Sequence, residues 1–242
     1  MIIKGGAEEY ASFLDYNFSG LKGQTRVSRK GLHFFSSRVT LVFSSSKSDF
    51  IDYFTEILFQ HPLLEVGNLE LVPDKIEVEE KQVIGSPLKF VCISPLVLSK
   101  PVFGEKKTKR FIHPDTDDFS DLLFESTLAR MSASGDFNEE DMEAFYQFQI
   151  VPDKKYLQKL DENQKKYARI YAVYDNDVKY EARGYTFPFT LYAHEKVLEF
   201  LFNNGLGYFT HKGFGMVDIV VDKVKDNGQK PSEKKEISGS SH

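Results

Sequence analysis

A chain of 242 residues, 41% hydrophobic and 14% aromatic, can bury one large core or two small ones, which excludes global disorder. Its single cysteine, Cys92, excludes an internal disulfide and a cysteine-based zinc site, and a lone thiol suits the reducing cytoplasm. The net charge of −5 argues against a uniformly basic nucleic-acid binder, yet no acid falls between Asp15 and Asp49, a window that holds Lys22, Arg26, Arg29, Lys30, Arg38 and Lys47.

Residues 7–14 (AEEYASFL) place Tyr10, Phe13 and Leu14 at helical spacing and predict a helix. Ser19 to Lys30 is polar and contains glycine, which predicts a loop or an edge strand. Residues 32–44 (LHFFSSRVTLVFS) alternate as one strand, with Val39, Leu41 and Phe43 on one face. Ser48 then reads as the cap of a helix over SDFIDYFTEILFQHP, with Phe50, Tyr53, Phe54, Ile57 and Leu58 as its apolar stripe and Pro62 after its end. Residues 64–79 read as strand, broken at Gly67-Asn68 and Pro73-Asp74. Gly85-Ser86-Pro87 is the best internal boundary.

A strand, LKFVCIS, follows the boundary, then Ser94-Pro95 and a basic hairpin-like stretch over 100–110 with Lys100, Lys106, Lys107, Lys109 and Arg110. Asp118 reads as the cap of a helix carrying Phe119, Leu122, Leu123 and Met131 at helical intervals. A polar linker over 132–140 leads to a strand, EAFYQFQIV, and then to a loop or short helix over 153–166. Two long strands, KYARIYAVY and VKYEARGYTFPFTLYA, flank a turn at Asp175-Asn176-Asp177, and Pro188 marks an edge or an irregularity in the second. A helix, HEKVLEFLFNNG, ends at Gly205, and FGMVDIVVD is the last strand. Residues 223–242 are polar and are expected to be disordered. Two helices per half, mixed with strands, predict two α+β sandwiches. The apolar runs are too short for a membrane helix, which needs about 20 residues, and the first residues lack the apolar run of a signal peptide.

Four glycines, Gly205, Gly207, Gly213 and Gly215, form a G-x-G-x5-G-x-G pattern between the last helix and the last strand. The dinucleotide fingerprint needs the opposite order of elements, and Lys212 precedes its glycine where a P-loop lysine follows one. Glycine lets backbone N–H groups approach phosphate oxygens, and His211 and Lys212 would add charge-assisted contacts. A tight connection packed on the sheet is the alternative.

The run GLGYFTHKGFGMVDIV resembles the glycine-rich C-terminal motif of the Cas-six family, the endoribonucleases that cut CRISPR repeat transcripts. EEYASFL resembles the end of that family's first helix, NFSGLKG the strand after its catalytic loop, GLHFFSSRVTLVFSS its second hairpin arm, and FVCISPLVLSKP the strand opening its second domain. The resemblance spans residues 7–222. It implies an α+β fold of two tandem ferredoxin-like domains, over 1–84 and 85–222, with a tail over 223–242. About six residues precede the segment matching the first helix, so the first domain is expected to lack its first strand.

The resemblance also implies a metal-independent cut with no cofactor. A base takes the 2′-OH proton, the 2′-oxygen attacks the adjacent phosphate, and an acid protonates the departing 5′-oxygen. The family's usual histidine after the first helix has no counterpart here; Asp15 stands at that place and would need a raised pKa. The catalytic candidates are His211 and His33, since imidazole titrates near neutrality. His61 reads as a helix cap, His113 as turn and His194 as a helix start. The RNA-binding candidates are Lys22, Arg26, Arg29, Lys30, Arg38, Gly205, Gly207, Lys212, Gly213 and Gly215. The implied partner is CRISPR repeat RNA, with other CRISPR effector subunits and a homodimer as further candidates and no membrane. A non-catalytic repeat-RNA-binding relative is the second reading, and a ferredoxin-like small-ligand regulator the third.

Overall fold

A computed structural model describes Tyr10 and residues 12–29, 31–98, 112–163, 165–175 and 178–220. Half of the expected helix over 7–14 (residues 7–9 and 11), Lys30, the basic stretch 100–110 and the tail 223–242 lie outside the described residues; the described part of that helix, Tyr10 and residues 12–14, is not α-helical.

The second half begins with β7 (Leu88–Cys92), the seventh strand in chain order. Its alternation puts Phe90 and Cys92 inward and leaves Lys89 and Val91 out. After β8 (Leu96–Val97) comes α2 (Asp117–Ser134), then a short helix α3 (Glu139–Glu143) running into a 3-10 turn, and β9 (Phe148–Pro152). α4 (Lys154–Glu162) is capped by Asp153, whose carboxylate accepts the Tyr156 N–H at 3.1 Å. β10 (Ala168–Asp175) and β11 (Val178–Tyr185) form a hairpin, and the chain then passes through Pro188 into β12 (Phe189–Ala193), α5 (Glu195–Asn204) and β13 (Val217–Ile219).

One sheet has the order β13-β7-β12-β9 with every pair antiparallel. Dropping the inserted hairpin leaves strand–helix–strand–strand–helix–strand with spatial order 4-1-3-2, the ferredoxin-like arrangement. The core between this sheet and its helices holds Phe119, Leu123, Phe187, Phe189, Leu191 and Leu198, all within 1% of fully buried. Cys92 lies in the same core and its thiol donates to the Phe187 carbonyl at 3.2 Å. Burial pushes that thiol up to about 12, so it stays protonated and unreactive at neutral pH. The free side of β9 ends in Pro152, which cannot donate, and its Ile150 N–H donates to Ser120 Oγ on α2 at 3.3 Å; both blunt an open edge. β10 and β11 pair in a second sheet with β8, where Gly184 and Tyr185 oppose Val97 and Leu96.

In the first half, β1 (Tyr16–Phe18) pairs antiparallel with β4 (Phe43–Ser45). Between them runs a hairpin arm, β2 (Thr25–Ser28) with β3 (Gly31–Phe34). α1 (Ser48–Gln60) lies against the β1–β4 pair, and β5 (Leu64–Val66) turns at Gly67-Asn68 into β6 (Leu69–Leu71). The packing here is aromatic. Phe50 is 0% exposed, with ring centroids of Tyr10, Phe13, Tyr16 and Phe43 at 5.1, 4.6, 5.2 and 5.9 Å. Residues 72–87 carry no regular structure, but Ile84 already packs on the second core.

Several local expectations are corrected. The alternation over 32–44 is not one strand: it holds β3 and β4 with an irregular segment between them, because only the ends find ladder partners. Ser48 is the first helical residue and not the cap; Lys47 occupies the cap position without a side-chain capping bond to the helix. Thr116, not Asp118, precedes α2. The segment EAFYQFQIV starts as helix and 3-10 turn and becomes strand only at Phe148. The strand expected over 64–79 stops at Leu71.

Candidate nucleic-acid interface

α5 stops because Gly205 leaves the helix at φ +79°, its N–H still donating to the Leu201 carbonyl at 2.8 Å. From there to Met216 the chain folds back on itself. Leu206 N–H donates to Gly215 O at 2.8 Å, Gly215 N–H to Pro95 O at 2.8 Å and Tyr208 N–H to Val97 O at 2.9 Å. A 3-10 turn over Thr210–Lys212 is closed by Lys212 N–H to Phe209 O and Gly213 N–H to Thr210 O, both at 2.9 Å. Phe209 holds φ +62°, a left-handed conformation that a non-glycine residue adopts only when its surroundings impose it.

All four glycines have φ between +73° and +83°. A β-carbon on Gly205 would overlap the Asn17 amide of β1; on Gly207, the Val97 carbonyl; on Gly215, the Leu206 carbonyl. One on Gly213 would stand 2.7 Å from the Phe18 ring. This corrects the physical reason given for the motif. The N–H groups of Gly205, Gly213 and Gly215 are spent on protein carbonyls, and the space before each glycine is filled by protein. The glycines allow the loop to sink between β1 on one side and β8 on the other. Tyr208, Phe209 and Phe214 then pack beside Val97, Val173 and Ala182 of the β8–β11–β10 sheet.

What the loop leaves partly exposed is its tip. The His211 ring stands 6.5 Å from the rings of both Tyr16 and Phe209. Lys212 Nζ donates to the Tyr174 carbonyl at 2.7 Å and lies 6.0 Å from the Phe209 ring. Burial raises the Tyr16 phenol above its ordinary value, so it remains a donor at neutral pH.

The remaining basic candidates follow the β1–β4 ribbon outward. Lys22 bridges Thr40 by backbone bonds of 2.8 and 2.9 Å, with its side chain exposed. On the arm, Arg26 lies directly opposite His33, and His33 Nε2 hydrogen-bonds Ser28 Oγ at 2.8 Å. Arg29 is exposed at the arm's turn, next to Lys30, which lies outside the described residues. Arg38 is an ion pair with Asp74 at 3.1 Å, both well exposed, a pair of little energetic weight. The sequence-derived residues thus form two groups. His211, Lys212 and the glycines share the loop, while Arg26, Arg29 and His33 share the arm. Three other histidines serve local structure: His61 Nδ1 bonds Ile57 O at the end of α1, His113 Nδ1 accepts the Asp115 N–H at 3.2 Å, and His194 caps α5.

The residue missed by sequence reasoning is Arg130, on the last turns of α2. Its guanidinium donates to Asn204 O at 2.7 Å, Gly205 O at 2.7 Å and Gly207 O at 3.5 Å, and lies 5.3 Å from the Phe200 ring. Burial lowers it to about 10, with Asp15 opposing the shift, so it stays charged at neutral pH. The signal was present: Arg130 falls on the helix face that carries Phe119, Leu123 and Thr127 inward. Asn204 completes the seam, its Oδ1 accepting the Ser46 N–H at 2.9 Å and its Nδ2 donating to Ser46 Oγ at 3.1 Å. Lys47 and Asp136 form an ion pair across the same seam.

Asp15 faces this cluster. Burial pushes its carboxyl above the usual carboxylate range, Arg130 pulls it back, Asp136 pushes it further and Lys47 pulls it back. The folded state therefore binds this proton more tightly than the unfolded chain does. That stabilising contribution is complete below the ordinary carboxylate value, about 3.9, and is lost as pH rises through the raised value. Asp15→Asn is expected to melt with wild type near pH 3.5 and above it at pH 7. A variant melting below wild type at pH 7 would mean that the pairing with Arg130 outweighs the burial.

A family model for CRISPR associated protein Cas6, C-terminal, matches residues 78–219, more than half of the chain and the whole of the ferredoxin-like second half. The chain belongs to the Cas6 family. It is 25% identical over 204 residues to the CRISPR-associated endoribonuclease-like protein Cas6 of Pyrococcus furiosus, covering 81% of this chain and 74% of that one. It is 26% identical over 223 residues to the CRISPR-associated endoribonuclease Cas6 1 of Methanocaldococcus jannaschii, covering 90% and 78%. A solved structure of a Cas6-related gene product from Pyrococcus furiosus superposes with a TM-score of 0.72 at 23% identity, over 90% of this chain and 86% of that one. A RAMP protein binding different RNA substrates superposes at 0.66 and 22%, over 86% and 80%. These likenesses establish the Cas6 fold, α+β with tandem ferredoxin-like halves, for the chain as a whole. Among the described residues, no helix is long and apolar enough to cross a membrane, and no three His, Cys, Asp or Glu side chains gather as a metal site.

Proposed function

We propose that this Cas6-family protein binds CRISPR repeat RNA across its two halves, divided near residues 84 and 85, and cuts it without a metal, in the cytoplasm. The observation that carries the reading is the braced loop tip, where His211 stands beside Tyr16 of β1 and Lys212 reaches the Tyr174 carbonyl of β10 from a turn closed by its own backbone bonds. In this reading His211 moves the proton, Lys212 answers the phosphate charge, and Lys22, Arg26, Arg29, Lys30 and Arg38 hold the flanking backbone. The glycines shape the loop. The 2′-oxygen loses its proton to the base and attacks phosphorus; the bond from phosphorus to the 5′-oxygen breaks, and that oxygen takes a proton from the acid. A 2′,3′-cyclic phosphate and a 5′-OH end result, with no water consumed.

The second reading is a repeat-RNA binder that does not cut, favoured by His33 standing on an exposed arm and by Asp15 occupying the place of the family's histidine. Incubating the protein with its own array's repeat RNA in EDTA separates the two. A single cut leaving a cyclic phosphate is expected. Salt-dependent binding without a cut would leave only the second reading, and absence of any preference for repeat RNA would remove both.

A further inference from the structure

We infer that Arg130 is the positioning residue of the RNA-binding loop: its guanidinium clamps the loop's entry to the seam between the two halves, and so sets where His211 and Lys212 stand. This inference rests on the RNA-binding role proposed for the loop.

Three observations converge on it. The end of α5 exposes carbonyls that have no partner within the helix, and Arg130 takes those of Asn204 and Gly205 together at 2.7 Å, with Gly207 at 3.5 Å. A planar fork is suited to several carbonyls at once, and a positive charge there also meets the negative end of the helix dipole. Asn204, Gly205 and Arg130 also border the first half. Asn204 holds the Ser46 N–H and hydroxyl through its side chain, the Gly205 α-carbon abuts the Asn17 amide of β1, and the Asp15 carboxyl faces the guanidinium. Finally, the loop is clamped at its exit by Gly215 on Pro95 and at its middle by Tyr208 on Val97, both backbone bonds within the second half. Arg130 at its entry, with Asn204, therefore fixes by hydrogen bonds how the loop leaves α5 toward the half that carries the basic arm, where Gly213 and His211 then pack on Phe18 and Tyr16.

A residue that served only to fill the core would lose stability when changed and leave the loop's response to RNA untouched. A positioning residue acts through the groups it places. The test is a double-mutant cycle read by repeat-RNA binding at two salt concentrations, with Arg130→Gln, Lys212→Ala and the pair. Each single variant is expected to weaken binding about tenfold, the loss of one charge-assisted phosphate contact, and the pair to bind within about twofold of the worse single variant. Arg130→Gln combined with Arg26→Ala should instead multiply, because the arm is a separate group. Arg130→Lys, which keeps the charge but cannot fork, is expected to fall between wild type and Arg130→Gln, and it serves if the glutamine variant does not fold.

Hydrogen exchange supplies a readout that needs no RNA. The peptide over 205–215 should exchange at least about tenfold faster in the variant, while the peptide over β7 keeps its protection. Losses that multiply between Arg130→Gln and Lys212→Ala, or an unchanged exchange rate over 205–215, would overturn the inference. Wild-type protein that ignores RNA would remove the proposed function, and the exchange measurement would still decide whether Arg130 positions the loop.

Discussion

Gly215→Ala is expected to destabilise the protein by about 3 kcal/mol or more, a large share of the roughly 5–15 kcal/mol that holds a typical domain folded. Two costs add. The residue sits at φ +73°, where an L side chain costs about 1–2 kcal/mol. A β-carbon would also overlap the Leu206 carbonyl, which is backbone and cannot rotate aside, and which belongs to the residue whose N–H donates to Gly215 O at 2.8 Å. Moving Leu206 breaks that bond inside a buried loop, and a buried carbonyl left unpaired costs about 1–3 kcal/mol more. Gly135, the cap after α2, is the control. Its φ of +71° is nearly the same, but nothing lies within 4 Å of its absent β-carbon. Gly135→Ala should lose only the conformational part, about 1 kcal/mol. Urea denaturation midpoints measured side by side decide the matter, and equal losses would mean that the close approach of Leu206 contributes nothing.

That contrast also shows what could be read from the chain and what could not. The spacing of the four glycines marked the loop as special, and Gly205 ended its helix where expected. For Gly205, Gly213 and Gly207 the physical reason was hidden, because the atoms that exclude a β-carbon come from Asn17, Phe18 and Val97, all more than a hundred residues away, while Gly215 is excluded by Leu206 of the loop itself. The elements of the second half were legible wherever local pattern and final burial agree: β7, α2, α5 and the two strands of the inserted hairpin. The run over 178–193, expected as one strand with an edge or an irregularity at Pro188, is two strands, β11 and β12, and at Pro188 the chain leaves one sheet for the other. The run over 32–44 misled because alternation reports which faces differ and says nothing about where a partner strand ends. Arg130 was hidden differently: a charged residue on an apolar stripe can be named from sequence, but its carbonyl acceptors follow from the end of another helix.

The two histidines are expected to separate cleanly under substitution. His211→Ala should slow cleavage of saturating repeat RNA by at least about 100-fold while changing affinity little, and His33→Ala should weaken binding a few-fold and leave the single-turnover rate intact. The reason is mechanical. Proton transfer requires an imidazole held within hydrogen-bond reach of the 2′-oxygen, and a misplacement near 1 Å is costly. His211 rides on a turn fixed by the left-handed Phe209, by backbone bonds at Lys212 and Gly213, and by the flanking ring of Tyr16. His33 belongs to a two-stranded arm whose strand partners are themselves exposed, and its ring bonds only locally to Ser28. An arm of that kind can follow an RNA backbone, and Arg26 opposite His33 suits that task, but it cannot hold a base to the tolerance the reaction demands. Should His33→Ala abolish the cut and His211→Ala spare it, the arm would have to close onto the substrate and become ordered there, and the loop tip would be left with binding alone.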